Sequence, residues 1–334
     1  MTALKILPYR GSIKALAQMI YREWKADHEG FIYLPEAQLK WLLKSPQVDR
    51  KWTLGCYRGK DLVGFVVVLK KKIRYRDGTF GLMKLCSLLT VKRTARKHMV
   101  HLTMLEYAAG RKQKHRREFT LNYLDARIKN DSILQVYLPH RYPYARVIRE
   151  FHSWVCVPGR ETAEDPGGAD SYSELDITDH IKPQDLMACI RLLNKKKNLD
   201  FQEIWSKKNF AHQLYRSCRF TYALRRAGRV IGFLNGLKAP VFLRGRSVLS
   251  GLVSHAELDS LQPSQRRGLV KAMLRGLSSQ GVKQVIVPDT GSTDPRLWKD
   301  CGFHHAFSSV KVYAVSERRG IGLKPGSRFN VEML

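Results

Sequence analysis

Hydrophobic positions in the first half of the chain alternate between two periods, and the changes of period predict an ordered set of elements. LKILPY reads as a strand. In SIKALAQMIYREW the apolar residues Ile13, Leu16, Met19 and Ile20 recur at helical spacing, and EAQLKWLLK reads as a second, short helix. WTLGCYR and LVGFVVVLKKKIRY flank a turn at Gly59-Lys60-Asp61; their β-branched and aromatic residues predict a hairpin. A further turn at Asp77-Gly78 leads into LMKLCSLLTV. HMVHLTMLEYAAG predicts a helix ending at Gly110, FTLNYLDARI a strand, SILQVYLPH a helix and ARVIREFHSWVCV a last extended segment.

The second half repeats this grammar. A helix around DLMACIRLLNKKK is followed by the hairpin FTYALRRAGRVIGFLNGL, the strand RSVLSGLVS, the helix RGLVKAMLRGLSSQG, the strand KQVIVPD, the helix PRLWKDCGF and the strand SSVKVYAVS. The two hairpins share a motif: GKDLVGF from Gly59 returns as GRVIGF from Gly228. The order helix, hairpin, strand, helix, strand, helix, strand therefore occurs twice, which predicts a duplicated domain. The stretch VPGRETAEDPGGADSYSEL between the copies is acidic, rich in Pro and Gly, and without hydrophobic period. The expected division is a first domain over 1–157, a linker over 158–170 and a second domain over 171–334.

Length and composition agree with two domains: 334 residues, 44% of them hydrophobic, suffice for real cores and exclude a disordered basic tail. Charge changes the picture more. Lys and Arg total 59 against 29 Asp and Glu, a formal net charge of +30 spread along the chain. Such an excess suits a polyanionic partner, the bland alternative being a solvated basic surface. The clusters are KKKIRYR with Lys70, Lys71 and Lys72; RKQKHRR with Arg111, Lys112, Lys114, Arg116 and Arg117; and KKK from Lys195. With Tyr75, Tyr142 and Tyr144 interspersed, they form a candidate nucleic-acid surface, cations neutralising phosphate and aromatic faces stacking on bases. The six cysteines are dispersed, without CxxC or zinc spacing, and read as reduced thiols of a cytoplasmic protein. The longest apolar run, LVGFVVVL, is far short of the roughly 20 residues of a membrane helix, so no membrane association is expected. The chain lacks a G-x-S-x-G elbow, a P-loop lysine motif and a metal-ligand cluster.

One helix start carries candidate chemistry. QRRGLV opens the helix after RSVLSGLVS, where small residues let main-chain amides approach a phosphate at the positive end of the helix dipole. VIVPD, DPRLWKDCGF and an apolar strand follow. This succession resembles the GCN5-related N-acetyltransferase (GNAT) family. The resemblance implies an α/β fold of two GNAT-like domains, each a mixed, mostly antiparallel central sheet flanked by helices, with acetyl-CoA or another acyl-CoA gripped between splayed central strands. It places Val253, Gln265, Arg266, Arg267, Gly268, Leu269 and Val270 at the cofactor, with Val270 standing where the family has Gly or Ala. In the first half the matching stretch is VKRTARKHMVHL. There Arg96, Lys97 and His98 are the cofactor candidates, while Met99 and His101 replace small residues. That loop is similar to the one in N-myristoyltransferases, another duplicated GNAT fold. Asn130 and Tyr137 keep the seven-residue spacing of a second family motif, whose tyrosine protonates the departing thiolate; the corresponding position in the second half is Trp298, which cannot give up a proton.

Acyl transfer to an amine needs a base, an N–H donor for the carbonyl oxygen and an acid for the thiolate. Base candidates are Glu257, Asp259 and Asp289 in the second half and Asp125 in the first, each of them equally an ordinary loop carboxylate or cap; His101 is a further candidate. The expected function is an acyl-CoA-dependent N-acyltransferase acting on an amine of a nucleic acid or a nucleic-acid-borne substrate, a modified base or charged tRNA. Two other readings stay open: a non-catalytic GNAT-fold nucleic-acid-binding protein, and a transferase that takes its acyl group from aminoacyl-tRNA. Which half catalyses is also open.

Overall fold

Two short peptides that looked like copies of each other fold as copies. In a computed structural model, which describes residues 3–28, 30–97, 99–109, 118–125, 145–159, 176–195, 197–214, 218–316 and 322–332, Gly59 and Gly228 both take the left-handed backbone that the tight turn requires (φ 62° and 72°). Five residues beyond the first, Gly64 lies where a Cβ would stand 2.6 Å from Met104 Sδ. Its counterpart Gly232 would meet Leu261 Cδ1 at 2.7 Å. Each hairpin thus keeps one glycine for its turn and one for close approach of the segment that packs on it.

The first half contains β1 (Leu4–Pro8), α1 (Ile13–Asp27), β2 (Gly30–Ile32), α2 (Glu36–Leu43), β3 (Leu54–Arg58), β4 (Asp61–Tyr75), β5 (Phe80–Val91), α3 (Arg93–Arg96), α4 (Val100–Ala109), β6 (Glu118–Asp125) and β7 (Arg146–Cys156). The second contains β8 (Asp176–Thr178), α5 (Leu186–Asn194), β9 (Phe201–Glu203), α6 (Lys207–Leu214), β10 (Arg219–Arg226), β11 (Arg229–Leu243), β12 (Arg246–Glu257), α7 (Pro263–Ser279), β13 (Gln284–Pro288), α8 (Pro295–Asp300), β14 (His304–Val315) and β15 (Phe329–Asn330). Local chemistry accounts for the boundaries. Ser12 Oγ accepts the Ala15 N–H to start α1, which buries Leu16, Met19 and Ile20 as their spacing predicts. Asp294 caps α8 ahead of Pro295. The helix read from SILQVYLPH and the linker beyond Gly159 lie outside the described residues.

The strands join one sheet in the order β1-β3-β4-β5-β6-β14-β7-β13-β12-β11-β10-β8. That order is a palindrome of equivalent strands: β1 answers β8, β3 answers β10, and so on inward to β14 and β7. The centre shows an exchange. β14, from the second half, pairs with β6 of the first, and β7, from the first half, pairs with β13 of the second. The extended arms exchange as well: β4 pairs with β9, and β11 with β2. One core, with Leu16, Leu39, Phe65 and Phe151 beside Leu237, Ala239, Leu252 and Phe329, is therefore built by both halves. Separate cores lie under α4 (Val66, Val68, Val100, Met104), under α7 and α8 (Val253, Leu269, Met273, Trp298), and under α5 and α6 (Cys189, Leu193, Phe210, Phe233). All six cysteines are free thiols, five of them buried. Among the described residues no helix is long and apolar enough to cross a membrane.

Candidate functional site

Each half parts its central strands. In the first, β5 and β6 run parallel from Leu82 opposite Glu118 to Cys86 opposite Asn122. Past that point β5 stays with β4 while β6 turns to β14, its Tyr123, Leu124 and Asp125 lying opposite Val312, Lys311 and Val310. In the second half β12 and β13 are paired only from Ser250 opposite Gln284 to Leu252 opposite Ile286, after which β13 follows β7 and β12 stays with β11 as far as Glu257. At each fork the two central strands part company.

The first fork carries a feature that no sequence signal announced. On β5, Ser87 lies opposite Val67 and Thr90 opposite Phe65, so Leu88 and Leu89 together face the single residue Val66. This is a β-bulge, and Leu88 holds a left-handed backbone, φ 54°, with its side chain in the shared core. A leucine pays for that conformation. The bulge breaks the regular β4–β5 ladder directly beside the fork. Downstream, the loop from Lys92 to Met99 (φ 53°) leads into α4.

Three cations of that loop, Lys92, Arg93 and Arg96, are engaged. Lys92 pairs with Asp61 at 2.7 Å, and the Arg96 guanidinium binds the Val91 carbonyl at 3.2 Å and the Asp27 carboxylate. Arg93 reaches Asp27 at 3.3 Å. Lys97 is exposed, and His98 lies outside the described residues. His101 is half-buried on α4; burial, reinforced by the Arg96 charge, holds its imidazole below the ordinary range.

The helix start QRRGLV also folds as read, although α7 begins earlier, at Pro263. Its first turn is self-satisfied: the Gln262 side chain accepts the Gln265 N–H, and Gln265 Oε1 accepts the Gln262 N–H at 3.1 Å. Arg266 donates to the carbonyls of Leu261 and Asp259 at 2.9 and 3.1 Å. Arg267 is partly exposed, near Asp300. Gly268 lines a cleft of about 500 Å³ with Ile177, Tyr222 and Arg275, while Leu269, Val270 and Val253 are buried in the core under α7.

The carboxylate candidates divide. Glu257 is buried and committed, 2.6 Å from Lys197 and accepting from Asn330 at 3.1 Å; burial pushes its carboxyl up, against the pull of Lys197. Asp259 is largely exposed. Asp289 holds a turn, receiving Arg149 at 3.4 Å and the Gly291 N–H at 3.2 Å. Asp125 ends β6 at the first fork, opposite Val310 of β14. Tyr137 and the cluster Arg111, Lys112, Lys114, Arg116 and Arg117 lie outside the described residues. Trp298 is buried against Phe303.

Of the surface cations, Lys72 lies over the exposed Phe80 ring and Lys70 is paired with Asp49 at 2.5 Å. Lys71 must be corrected. It is fully buried, 3.0 Å from Glu203, so it cannot meet a nucleic acid at the surface. It belongs to a polar junction between the halves. Gln47 donates to Glu203 at 2.5 Å, the Glu332 N–H to Glu203 at 3.1 Å, and Arg219 to Glu332 at 2.6 Å. Arg219 also lies 4.8 Å above the Trp41 ring, whose plane stacks on His212.

His255 completes the junction. It is 2% exposed, neither ring nitrogen has a hydrogen-bond partner among the described residues, and its ring stands edge-on to Trp205. Burial, with Arg219, Lys71 and Lys197 nearby, holds its pKa well below 6.5. The consequence for pH has a definite sign. Below pH 6.5 the unfolded imidazole takes a proton that the folded one refuses, so stability falls with pH by up to about 1.4 kcal/mol per unit. His255→Phe, which keeps an aromatic ring against Trp205, should lose that part of the slope below about pH 6.5 in urea titrations; an unchanged slope would show that the imidazole is protonated in the fold.

No protein-family model matches the chain, and no curated protein matches it. Solved structures do. The Saccharomyces cerevisiae N-myristoyltransferase with bound myristoyl-CoA is similar with a TM-score of 0.73 at 13% identity, over 97% of this chain and 84% of that one. A second structure of the enzyme, with myristoyl-CoA and inhibitors, gives 0.71 at 14% identity, covering 100% and 87%. A GCN5-related N-acetyltransferase from Kribbella flavida gives 0.57 at 12% identity, covering 94% and 71%. The chain has the duplicated GNAT fold of the N-myristoyltransferases.

Proposed function

We propose that the protein is an acyl-CoA-dependent N-acyltransferase whose donor thioester enters the fork of the first half. The observation that carries this reading is the bulge at Leu88 and Leu89. It interrupts the β4–β5 ladder beside the fork, and in this reading its main-chain N–H groups serve as the donors that a polarised carbonyl needs already in place. The second fork has a bulge of its own, at Ser254 of β12, but is the weaker host, since Pro263 lacks an N–H, Gln262 occupies the Gln265 amide, and Glu257 is tied to Lys197. The presence of myristoyl-CoA in the N-myristoyltransferase structures supports an acyl-CoA donor here.

In this reading the diphosphate lies along the loop of Arg96, Lys97 and His98, and the thioester carbon sits under the bulge. The neutral amine attacks that carbon, the carbonyl oxygen takes up negative charge facing the freed N–H groups, and the C–S bond breaks. Asp125, where β6 leaves the fork, is the candidate to accept the amine proton; Tyr137 is the candidate to protonate the thiolate. The stretch Gln265 to Val270 is then the structural counterpart of the donor loop. For the acceptor, the net charge of +30 favours an amine carried on a polyanion, of which nucleic acid is the first to test.

The test is a thermal and urea titration with acetyl-, octanoyl- and myristoyl-CoA. A cognate donor at a hundred times its dissociation constant should add about 2.7 kcal/mol of stability. If none of the three stabilises the fold, the donor site is refuted. The same protein titrated with an RNA oligonucleotide at low and high salt should lose affinity as the logarithm of salt rises. Absence of binding at low salt removes the polyanion and leaves the transferase reading standing.

A further inference from the structure

Two carboxylates one helical turn apart on α1, Glu23 and Asp27, face the donor loop and bind its Arg93 and Arg96. Glu23 is 8% exposed, and its Oε2 accepts the backbone N–H of Arg93 at 3.0 Å while standing 3.8 Å from the Arg96 guanidinium. Asp27 receives both ends of the Arg96 fork and the Nε of Arg93, and Arg93 also donates to the Ala26 carbonyl. The remaining neighbour of Glu23 is Arg22 at 3.6 Å, which is mostly exposed. Including the pair of Lys92 and Asp61, the described part of the loop sets the four cations Lys92, Arg93, Arg96 and Lys97 against three carboxylates. A loop dedicated to a diphosphate has no need of such neutralisation. A bidentate Arg–carboxylate pair and an amide-bound carboxylate are the same interactions that phosphate oxygens make, with the same donors.

We infer that Glu23 and Asp27 act as an internal anion that competes with the phosphates of the acyl donor for the loop of Arg93 and Arg96, and so determine how strongly the protein selects for phosphate on its donor. The inference rests on the donor site proposed above. The carboxyl of Asp27 is held below its usual range by Arg96 and Arg93, against its partial burial, so the competing charge persists through neutral pH. Without a ligand the two side chains hold the arginines in place. When a donor enters, its diphosphate must either displace them or bind beyond them at reduced charge. The chain therefore discriminates less between a phosphorylated donor and its phosphate-free fragment than the composition of the loop suggests.

The experiment compares the full-length protein with E23Q/D27N by calorimetric titration of CoA and of pantetheine, which has the same thiol arm and no phosphate. The double variant should bind CoA tenfold or more tightly than the parent, with pantetheine affinity unchanged. Equal or weaker CoA binding by the variant overturns the inference alone, because the carboxylates would then be orienting the arginines. CoA binding by neither folded protein overturns the donor site and this inference with it. Should the double variant unfold, D27N is measured in its place, with the same direction expected and the same outcomes decisive.

Discussion

Replacing Lys71 with Met should cost the fold about 3–5 kcal/mol, the usual penalty for stranding one partner of a buried ion pair. Lys71 and Glu203 are both within 2% of complete burial and lie 3.0 Å apart. In the variant, Glu203 keeps the Gln47 amide and the Glu332 N–H, but these dipoles do not neutralise a carboxylate placed beside the equally buried Glu332. Lys71→Met combined with Glu203→Gln should recover most of the loss, since the unpaired charge goes with it. Urea unfolding of the wild type, both single variants and the double variant gives the cycle. A loss below about 1 kcal/mol for Lys71→Met would mean that water reaches the pair and that the junction is not closed.

The effect should not stay local. Lys71 is on β4 and Glu203 on β9, strands from different halves that pair with each other. Glu203 also anchors Glu332, next to β15, and Glu332 in turn holds Arg219 over Trp41 of α2. Disturbing one pair loosens the seam on which both clefts depend, so unfolding should remain a single transition with no separable halves. The strand exchange at β14 and β7 has the same consequence, because neither half can complete its sheet alone.

How much of this could be read beforehand follows from whether each feature is local. The hairpins, α1, α4 and the start of α8 were legible because spacing, turn glycines and caps act over a few residues. β2 and β9, three residues each, were not, since they exist only as partners for the arms of β11 and β4. The strand exchange left no trace, because a strand carries no record of which half it pairs with. Lys71 was legible in principle. It lies in phase with Val67, Leu69, Ile73 and Tyr75, all core residues, so the period of two within KKK already marks the middle lysine as the inward one. Reading the run as a single charged surface discarded that signal. In the second half the sequence pointed to a helix start with glycine and in the first to the cations Arg96, Lys97 and His98, whereas the structural signal at the proposed site is a pair of leucines at a bulge.

That bulge supports the other large expected effect. Deleting Leu88 leaves Leu89 alone opposite Val66 and keeps Ser87 on Val67 and Thr90 on Phe65, so the ladder becomes regular without changing the register of either arm. The deletion also removes a buried side chain, and a stability loss of about 2–4 kcal/mol is expected from the core. The diagnostic quantity is turnover in the folded fraction. If main-chain donors at the bulge stabilise the developing oxyanion, removing them should lower kcat by about 10²–10³ with donor affinity retained, as for loss of one oxyanion-hole donor. Leu88→Ala separates the two effects, since it keeps the bulge and loses most of the side chain. Its stability should fall, and its kcat should stay within a few-fold of the parent. If Leu88→Ala and the deletion slow turnover equally, the side chain rather than the turned-out backbone is responsible, and the first fork loses its claim to the chemistry.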